Sequence, residues 1–218
     1  MNNWEQKSSD GVTNPGGDNK NPQTPNGEDG NNHSDQEAQT ADIKVTGLKI
    51  TAPSKKLTAG KKVQLALTIS PENATNKTVT WKTSNSKYAT IDKNGKLSIK
   101  KAGAGKTVTV TATAADGSTV EATYNIKIMK HAVKSIKLSA ASKSVKAGKS
   151  ITVKATVKTT GKSVNKTLKW MSSNTKYATV SKSGKVKTKK AGKGKTVTIT
   201  ATSTDGTNKK AKIKIKIK

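Results

Sequence analysis

The 218 residues carry 42 lysines and no arginine against 13 acidic residues, a formal net charge of +29, with no cysteine and no phenylalanine. No disulfide framework can form, and the two histidines, His33 and His131, are too few to assemble a nitrogen or sulfur metal cluster. No apolar run reaches the roughly eighteen residues that a membrane helix needs, and no basic-then-apolar leader follows Met1.

Residues 1–41 differ in composition from everything after them. They are rich in Asn, Gly, Asp, Pro and Ser and poor in aliphatic side chains, so they cannot bury enough surface to offset chain entropy. A disordered tether is expected there. Seven acids face two lysines up to Thr40, leaving 40 lysines and six acids beyond it. Trp4 is the one large apolar residue of the tether and reads as an incidental exposed side chain ahead of a docking anchor.

From residue 42 the chain says one thing twice. Thr78 to Gly117 returns as Thr167 to Gly206, with 25 of 40 aligned positions identical. Upstream, Val45 to Ile50 matches Val133 to Leu138, and the TAGKKVQL of Thr58 to Leu65 matches the KAGKSITV of Lys146 to Val153. The offset shifts by one residue between SPENATNK and KTTGKSVNK, where a loop tolerates it. Two copies of one small domain are expected, over 42–130 and 131–218.

Strict alternation identifies the elements. In TVTVTATA, Val108, Val110 and Ala112 alternate with threonines, and Val197 and Ile199 take the same places in the second copy. These are strands with one buried face. Strands are predicted at 45–50, 63–69, 78–83, 88–91, 96–100, 107–114 and 119–128, and again at 133–138, 151–157, 167–172, 177–180, 185–189, 196–203 and 208–217. Asn94-Gly95, Asp116-Gly117, Ser183-Gly184 and Asp205-Gly206 read as two-residue hairpin turns. No window has amphipathic helical spacing. About seven strands per copy point to an all-β fold of two tandem immunoglobulin-like sandwiches, with Trp81 and Trp170 filling the middle of each core.

These residues also resemble a known family. Leu48-Lys49-Ile50, Gly60 with Leu65, Val79-Thr80-Trp81 with Ser84-Asn85, Tyr88 to Asp92 with Gly95 and Leu97, and Val108 to Ala112 with Asp116-Gly117 are similar to bacterial immunoglobulin-like domains, group 2. The second copy matches as well, except that Ser181 stands for the aspartate. The resemblance implies a surface-exposed bacterial protein, a cell-surface or extracellular location, and modules that serve as adhesin segments, stalks or accessories. It implies no enzymatic activity and no cofactor. A protein exported in this way is expected to be a portion of a longer precursor, its signal and anchor lying outside the sequence.

Between the copies stand only Met129-Lys130-His131-Ala132, without Gly or Pro, so a semi-rigid, elongated pair with a small interface is expected, acting as a monomer. Gly103-Ala104-Gly105-Lys106-Thr107 and Gly192-Lys193-Gly194-Lys195-Thr196 imitate the end of a phosphate-binding loop. Lys100 and Lys189 occupy the position of the required first glycine, and a strand follows instead of a helix. The reading is a turn into a strand. Tyr88 and Tyr177 occupy one place in both copies and read as half-buried strand residues more readily than as sugar-stacking rings. The acids of the repeats are scattered, and copy two keeps one of them, so neither a carboxylate pair nor a triad is repeated.

The lysines remain. Copy two has 24 of them against the single acid Asp205. Such a surface attracts polyanions in a salt-dependent way. With no arginine forks and few aromatics, specific nucleic-acid reading is not expected. The partners considered are anionic cell-wall polymers or host glycans and proteins, and the candidate set is Lys185, Lys187, Lys189, Lys212, Lys214 and Lys216. The ordinary alternative is that lysine solubilises strand faces and protects edges from aggregation. One stripe of these lysines across strands would favour a binder, and a spread over both faces a spacer.

Overall fold

A strand that alternates Val with Thr can only be satisfied by burying its apolar face against a second sheet, and this is what both copies do. The computed structural model describes residues 41–218. The acidic tether and Trp4, save Ala41, lie outside the described residues. In the first copy the strands are β1 (Gly47–Thr51), β2 (Lys56–Thr58), β3 (Lys62–Gln64), β4 (Ala66–Ser70), β5 (Val79–Thr83), β6 (Ala89–Ile91), β7 (Lys96–Ile99), β8 (Thr107–Ala114) and β9 (Glu121–Met129). The second has β10 (Val133–Ala140), β11 (Ser144–Val145), β12 (Ser150–Thr159), β13 (Leu168–Ser172), β14 (Ala178–Val180), β15 (Lys185–Thr188), β16 (Thr196–Ser203) and β17 (Lys210–Ile217).

One sheet of each copy is ordered β2-β9-β8-β5 and, in the repeat, β11-β17-β16-β13. The opposing sheet is β10-β12-β15-β14 in copy two; in copy one it is divided into β1-β4 and β3-β7-β6. The strands pair alike in both copies, and copy one differs by the break between β3 and β4 at Leu65. The first half of β12 pairs with β15 and its second half with β10, just as β3 pairs with β7 and β4 with β1. The fold is all-β, two immunoglobulin-like sandwiches in tandem.

The strands expected from alternation are present within a few residues of their predicted ends. Two were not anticipated: β2 and β11 each lie parallel to the last strand of their copy. At two or three residues they are too short to show any period. The turns also differ. Gly95 and Gly117 have the positive φ expected, 74° and 85°, but the connections run over 92–95 and 115–120. They are longer than two residues because aspartate side chains organise them. Asp92 Oδ1 accepts the N–H groups of Asn94 and Lys96 at 3.0 and 2.9 Å.

The core of copy one gathers Leu57, Leu97, Val108, Val110, Ile126 and Ile128; that of copy two gathers Val186, Val197, Ile199, Ile213, Ile215 and Ile217. Each such side chain contributes about 1.5–3 kcal/mol on burial, and apolar packing is the main hold between the sheets, joined in copy one by the Thr83 hydroxyl, which donates to the carbonyl of Ala89 at 2.8 Å. The tryptophans sit less deeply than expected. Trp81 and Trp170 lie on β5 and β13, at the edges of their sheets, and are half-buried. Their rings close over the turn glycines: a Cβ at Gly184 would lie 3.1 Å from Trp170 Cη2 and 2.4 Å from the carbonyl of Val153.

The phosphate-loop imitation resolves in the same physical terms. Lys101–Gly103 and Lys190–Gly192 are single 3-10 turns, and the next glycines, Gly105 and Gly194, have φ of 83° and 77°. A Cβ at Gly103 would lie 2.7 Å from Ile128 Cδ1 and 3.0 Å from Tyr88 Cβ, and Gly192 stands equally close to Ile217 and Tyr177. These glycines admit close packing beneath half-buried tyrosines and lead the chain into β8 and β16.

Candidate functional site

The lysine candidates fall on two sheets. Lys212, Lys214 and Lys216 alternate along β17 with the buried Ile213, Ile215 and Ile217, so they face outward from the β11-β17-β16-β13 sheet. Lys185 and Lys187 alternate with the buried Val186 and Thr188 on β15, which belongs to the opposing sheet, and Lys189 follows that strand's end. The inner faces of two packed sheets meet at the core, so their outer faces look in opposite directions. The six residues therefore form no single stripe.

A different grouping emerges on the first face. Lys210, Lys212, Lys214 and Lys216 stand opposite Thr202, Thr200, Thr198 and Thr196 of β16, and Lys169 and Met171 of β13 continue the rows beyond Thr202 and Thr200. Met171 is 60% exposed. The same lane of copy one reads Glu121, Thr123, Asn125 and Lys127. There, Thr113 donates to Glu121 at 2.8 Å and Thr109 to Asn125 at 2.7 Å. One scaffold thus carries a mixed polar lane in copy one and four lysines in copy two. Among the described residues the one ion pair is Lys44 with Asp42, at 2.6 Å; the lysine lane has no carboxylate partner.

The repeated Asp-Gly turn has a structural duty that alternation did not reveal. Asp116 Oδ2 accepts the N–H of Val45 at 2.6 Å, and Oδ1 accepts the N–H and the hydroxyl of Ser118. The hydroxyl of Ser118, with the N–H groups of Val45 and Ser118, holds this carboxyl down at about 2. Asp205 repeats the arrangement with Val133 at 2.8 Å and with Thr207. Burial pushes its carboxyl up, but the hydroxyl of Thr207 and the N–H of Val133 outweigh that, and the net shift is downward. Each aspartate fastens the entry of its copy's first strand to the connection between the last two.

Asp205 does one thing more: it joins the copies. Its carbonyl accepts the N–H of Thr58 at 2.8 Å, and its carboxylate accepts the Thr58 hydroxyl at 3.3 Å. Beside it the amide nitrogen of Asn165 faces Ser54 Oγ and the carbonyl of Lys56, both at 3.0 Å, and Thr204 Oγ1 at 3.2 Å. Gly206 is packed so closely that a Cβ there would lie 3.0 Å from Val63 Cγ2. Thr58 is 4% exposed and Asp205 0%. Among the described residues no buried side-chain nitrogen or oxygen lacks a partner. The connecting residues are held too: Ala132 donates to Thr160 Oγ1 at 2.9 Å and accepts from the Thr160 N–H at 3.0 Å.

A family description, bacterial Ig-like domain (group 2), matches residues 44–124 and 132–214, one match per copy. The chain belongs to this family. Its Ig-like modules resemble part of an uncharacterized protein of Clostridium acetobutylicum, 30% identical over 150 residues, covering 69% of this chain and 15% of that protein. An Ig-like virion protein of Serratia phage KSP90 is 38% identical over 77 residues, 35% of this chain and 29% of the relative. The chain thus spans less than a third of either curated relative. Among solved structures, domains 4 and 5 of the surface layer protein SbsC are 20% identical, with 80% of this chain and 99% of that one covered and a TM-score of 0.31. A mutant of intimin from EHEC O157:H7 is 21% identical, with 44% and 51% covered and a TM-score of 0.31.

The joint could not have been found by looking for chemistry. Its signal in the sequence was the one acid that copy two retains, Asp205, in a copy otherwise stripped of negative charge.

Proposed function

We propose that the chain is a non-catalytic spacer segment of a bacterial surface protein, in which 42–130 and 131–218 are two Ig-like modules held end to end to keep other parts of the protein away from the surface. The observation that carries this is the hydrogen-bonded seat of Asp205 and Asn165 on Thr58, Lys56 and Ser54. A free linker would let the modules wander, whereas a satisfied polar joint holds their spacing. The chain has no cysteine, so a single labelling pair, Thr90→Cys with Thr179→Cys, allows the inter-module distance to be read by pulsed electron resonance. A narrow distribution that broadens in Asn165→Ala supports the spacer; a distribution already broad in the parent chain removes it.

A second reading is supported by the lysine lane of β17: that face attracts an anionic cell-wall polymer or host glycan. Alternate residues along a strand stand about 6.6–6.8 Å apart, a regular row of charge suited to a linear polyanion. Co-sedimentation with intact and teichoic-acid-stripped Gram-positive walls across a salt series tests it. Binding that requires the polymer, fades with salt and is lost when Lys210, Lys212, Lys214 and Lys216 become glutamate supports attraction; binding indifferent to all three leaves the spacer alone.

A further inference from the structure

Because the modules are copies, each residue that copy one contributes to the joint has a counterpart at the far pole of copy two. Thr58 corresponds to Lys146, Leu57 to Val145, Val63 to Ile151 and Ser54 to Ser142. The counterparts are built alike. Ser54 Oγ accepts the Lys56 N–H at 3.0 Å, and Ser142 Oγ accepts the Ser144 N–H at 3.0 Å. Ala59 donates to the carbonyl of Met129, and Ala147 to that of Lys218. They differ in cover. Leu57, Thr58 and Val63 are buried beneath copy two, whereas Val145 and Ile151 are partly open and Lys146 is exposed.

The polar groups at that pole are those the joint uses. Lys216 and Lys218 donate to the carbonyls of Lys143 and Val145, so the carbonyl of Ser144 between them points away from β17, as that of Lys56 points away from β9 toward Asn165. The N–H of Lys146 has no acceptor among the described residues, whereas that of Thr58 donates to Asp205. The opposite pole, on copy one, is already engaged: Lys44 Nζ donates to the carbonyl of Asp116 at 2.6 Å, the group that in Asp205 receives Thr58.

We infer that the pole formed by Ser142, Val145, Lys146 and Ile151 is a second docking seat, and that its partner is the Asp-Gly turn of another group 2 Ig-like module joined in series. The incoming carbonyl takes the N–H of Lys146, the incoming Asn amide takes the carbonyl of Ser144, and the glycine lies on Ile151. Where Thr58 offers a hydroxyl to the aspartate, Lys146 offers an ammonium, a charge-assisted contact of the stronger class. Lys218 lies beside Ala147 as Met129 lies beside Ala59, so a module joined after Lys218 would reach this seat as copy two reaches the first. The inference rests on the spacer reading of the first joint and extends it to a repeating one.

The test uses the full chain extended after Lys218 by a second stretch of 130–218, with cysteine label pairs across either joint. The second joint is expected to give a distance distribution as narrow as the first, and Lys146→Glu, which opposes the incoming aspartate, is expected to broaden the second joint alone. Thr58→Lys, which installs the seat's own residue at the first joint, is expected to keep that joint narrow. A second joint as broad in the parent as in Lys146→Glu, beside a narrow first joint, overturns this inference and leaves the spacer reading intact. A broad first joint removes both.

Discussion

The side-chain amide of Asn165 donates to the main-chain carbonyl of Lys56 across 109 positions of sequence at 3.0 Å, and the same nitrogen faces Ser54 Oγ at 3.0 Å. Its counterpart Asn76 accepts the Thr78 N–H at 2.9 Å, and its amide nitrogen reaches only the carbonyl of Ala115 of its own copy, at 3.4 Å. Removing a hydrogen-bonding group from a buried polar contact costs about 1–3 kcal/mol. Asn165→Ala is therefore expected to lower the unfolding free energy of copy two by that order, seen as a lower urea midpoint, and to loosen the joint, and Asn76→Ala is expected to leave the joint unchanged. Amide signals assigned to each copy, followed through urea, make the comparison.

Gly206 and Gly117 isolate the packing of the joint from the cost of its backbone. Their φ values are 89° and 85°, so alanine at either position meets a similar left-handed penalty of about 1–2 kcal/mol. At Gly117 a Cβ has nothing within 4 Å, whereas at Gly206 it meets Val63 Cγ2 at 3.0 Å. Gly117→Ala should cost only the backbone term. Gly206→Ala should cost that backbone term plus the contact with Val63, and should shift the amide resonances of Val63 and Leu57 in copy one, as a heteronuclear spectrum would show.

Much of the fold was legible because it rests on the simplest periodic signal. Val108, Val110, Val197 and Ile199 are buried where alternation with threonine placed them, since a strand with one apolar face leaves the core little choice. What was not legible depends on non-local partners. Leu57 in β2 is fully buried, yet KLT has no period, and its pairing partner Ile128 lies far along the chain. Nor can a sequence say on which sheet an alternating strand sits. That is why Lys187 and Lys214, alike in pattern, face opposite ways.

Acid should weaken copy one through Asp116. Its carboxyl titrates at about 2 in the folded chain, below the unfolded value of about 3.9. The stabilisation is therefore complete above the unfolded value and disappears as pH falls through the folded one. Asp205 is lowered as well, so copy two declines on the acid side too. Asp116→Asn should be less stable than the parent at neutral pH and should show a flatter decline from about pH 4 to about pH 2, read from urea midpoints at a series of pH values.

Two turn glycines with positive φ should differ sharply. Gly184→Ala places a Cβ 2.4 Å from a main-chain carbonyl and against the Trp170 ring, whereas Gly194→Ala meets nothing within 4 Å. The first is expected to cost about 3 kcal/mol or more, by overpacking added to backbone strain, and to alter Trp170 fluorescence. The second is expected to cost about 1–2 kcal/mol, the backbone contribution alone.

The short strand β2 lies parallel to β9, with Lys56, Leu57 and Thr58 opposite Lys127, Ile128 and Met129. The register of β8 with β9 puts Met129 at the far end of the module from the Asp116 turn, where Val45 enters. Tension between the two ends of the module therefore pulls β2 and β9 past one another along their lengths. Their hydrogen bonds are loaded together in shear and cannot be peeled one at a time. A strand of three residues thus sets how the module would meet a mechanical load, and β11 against β17 repeats the pairing in the second module.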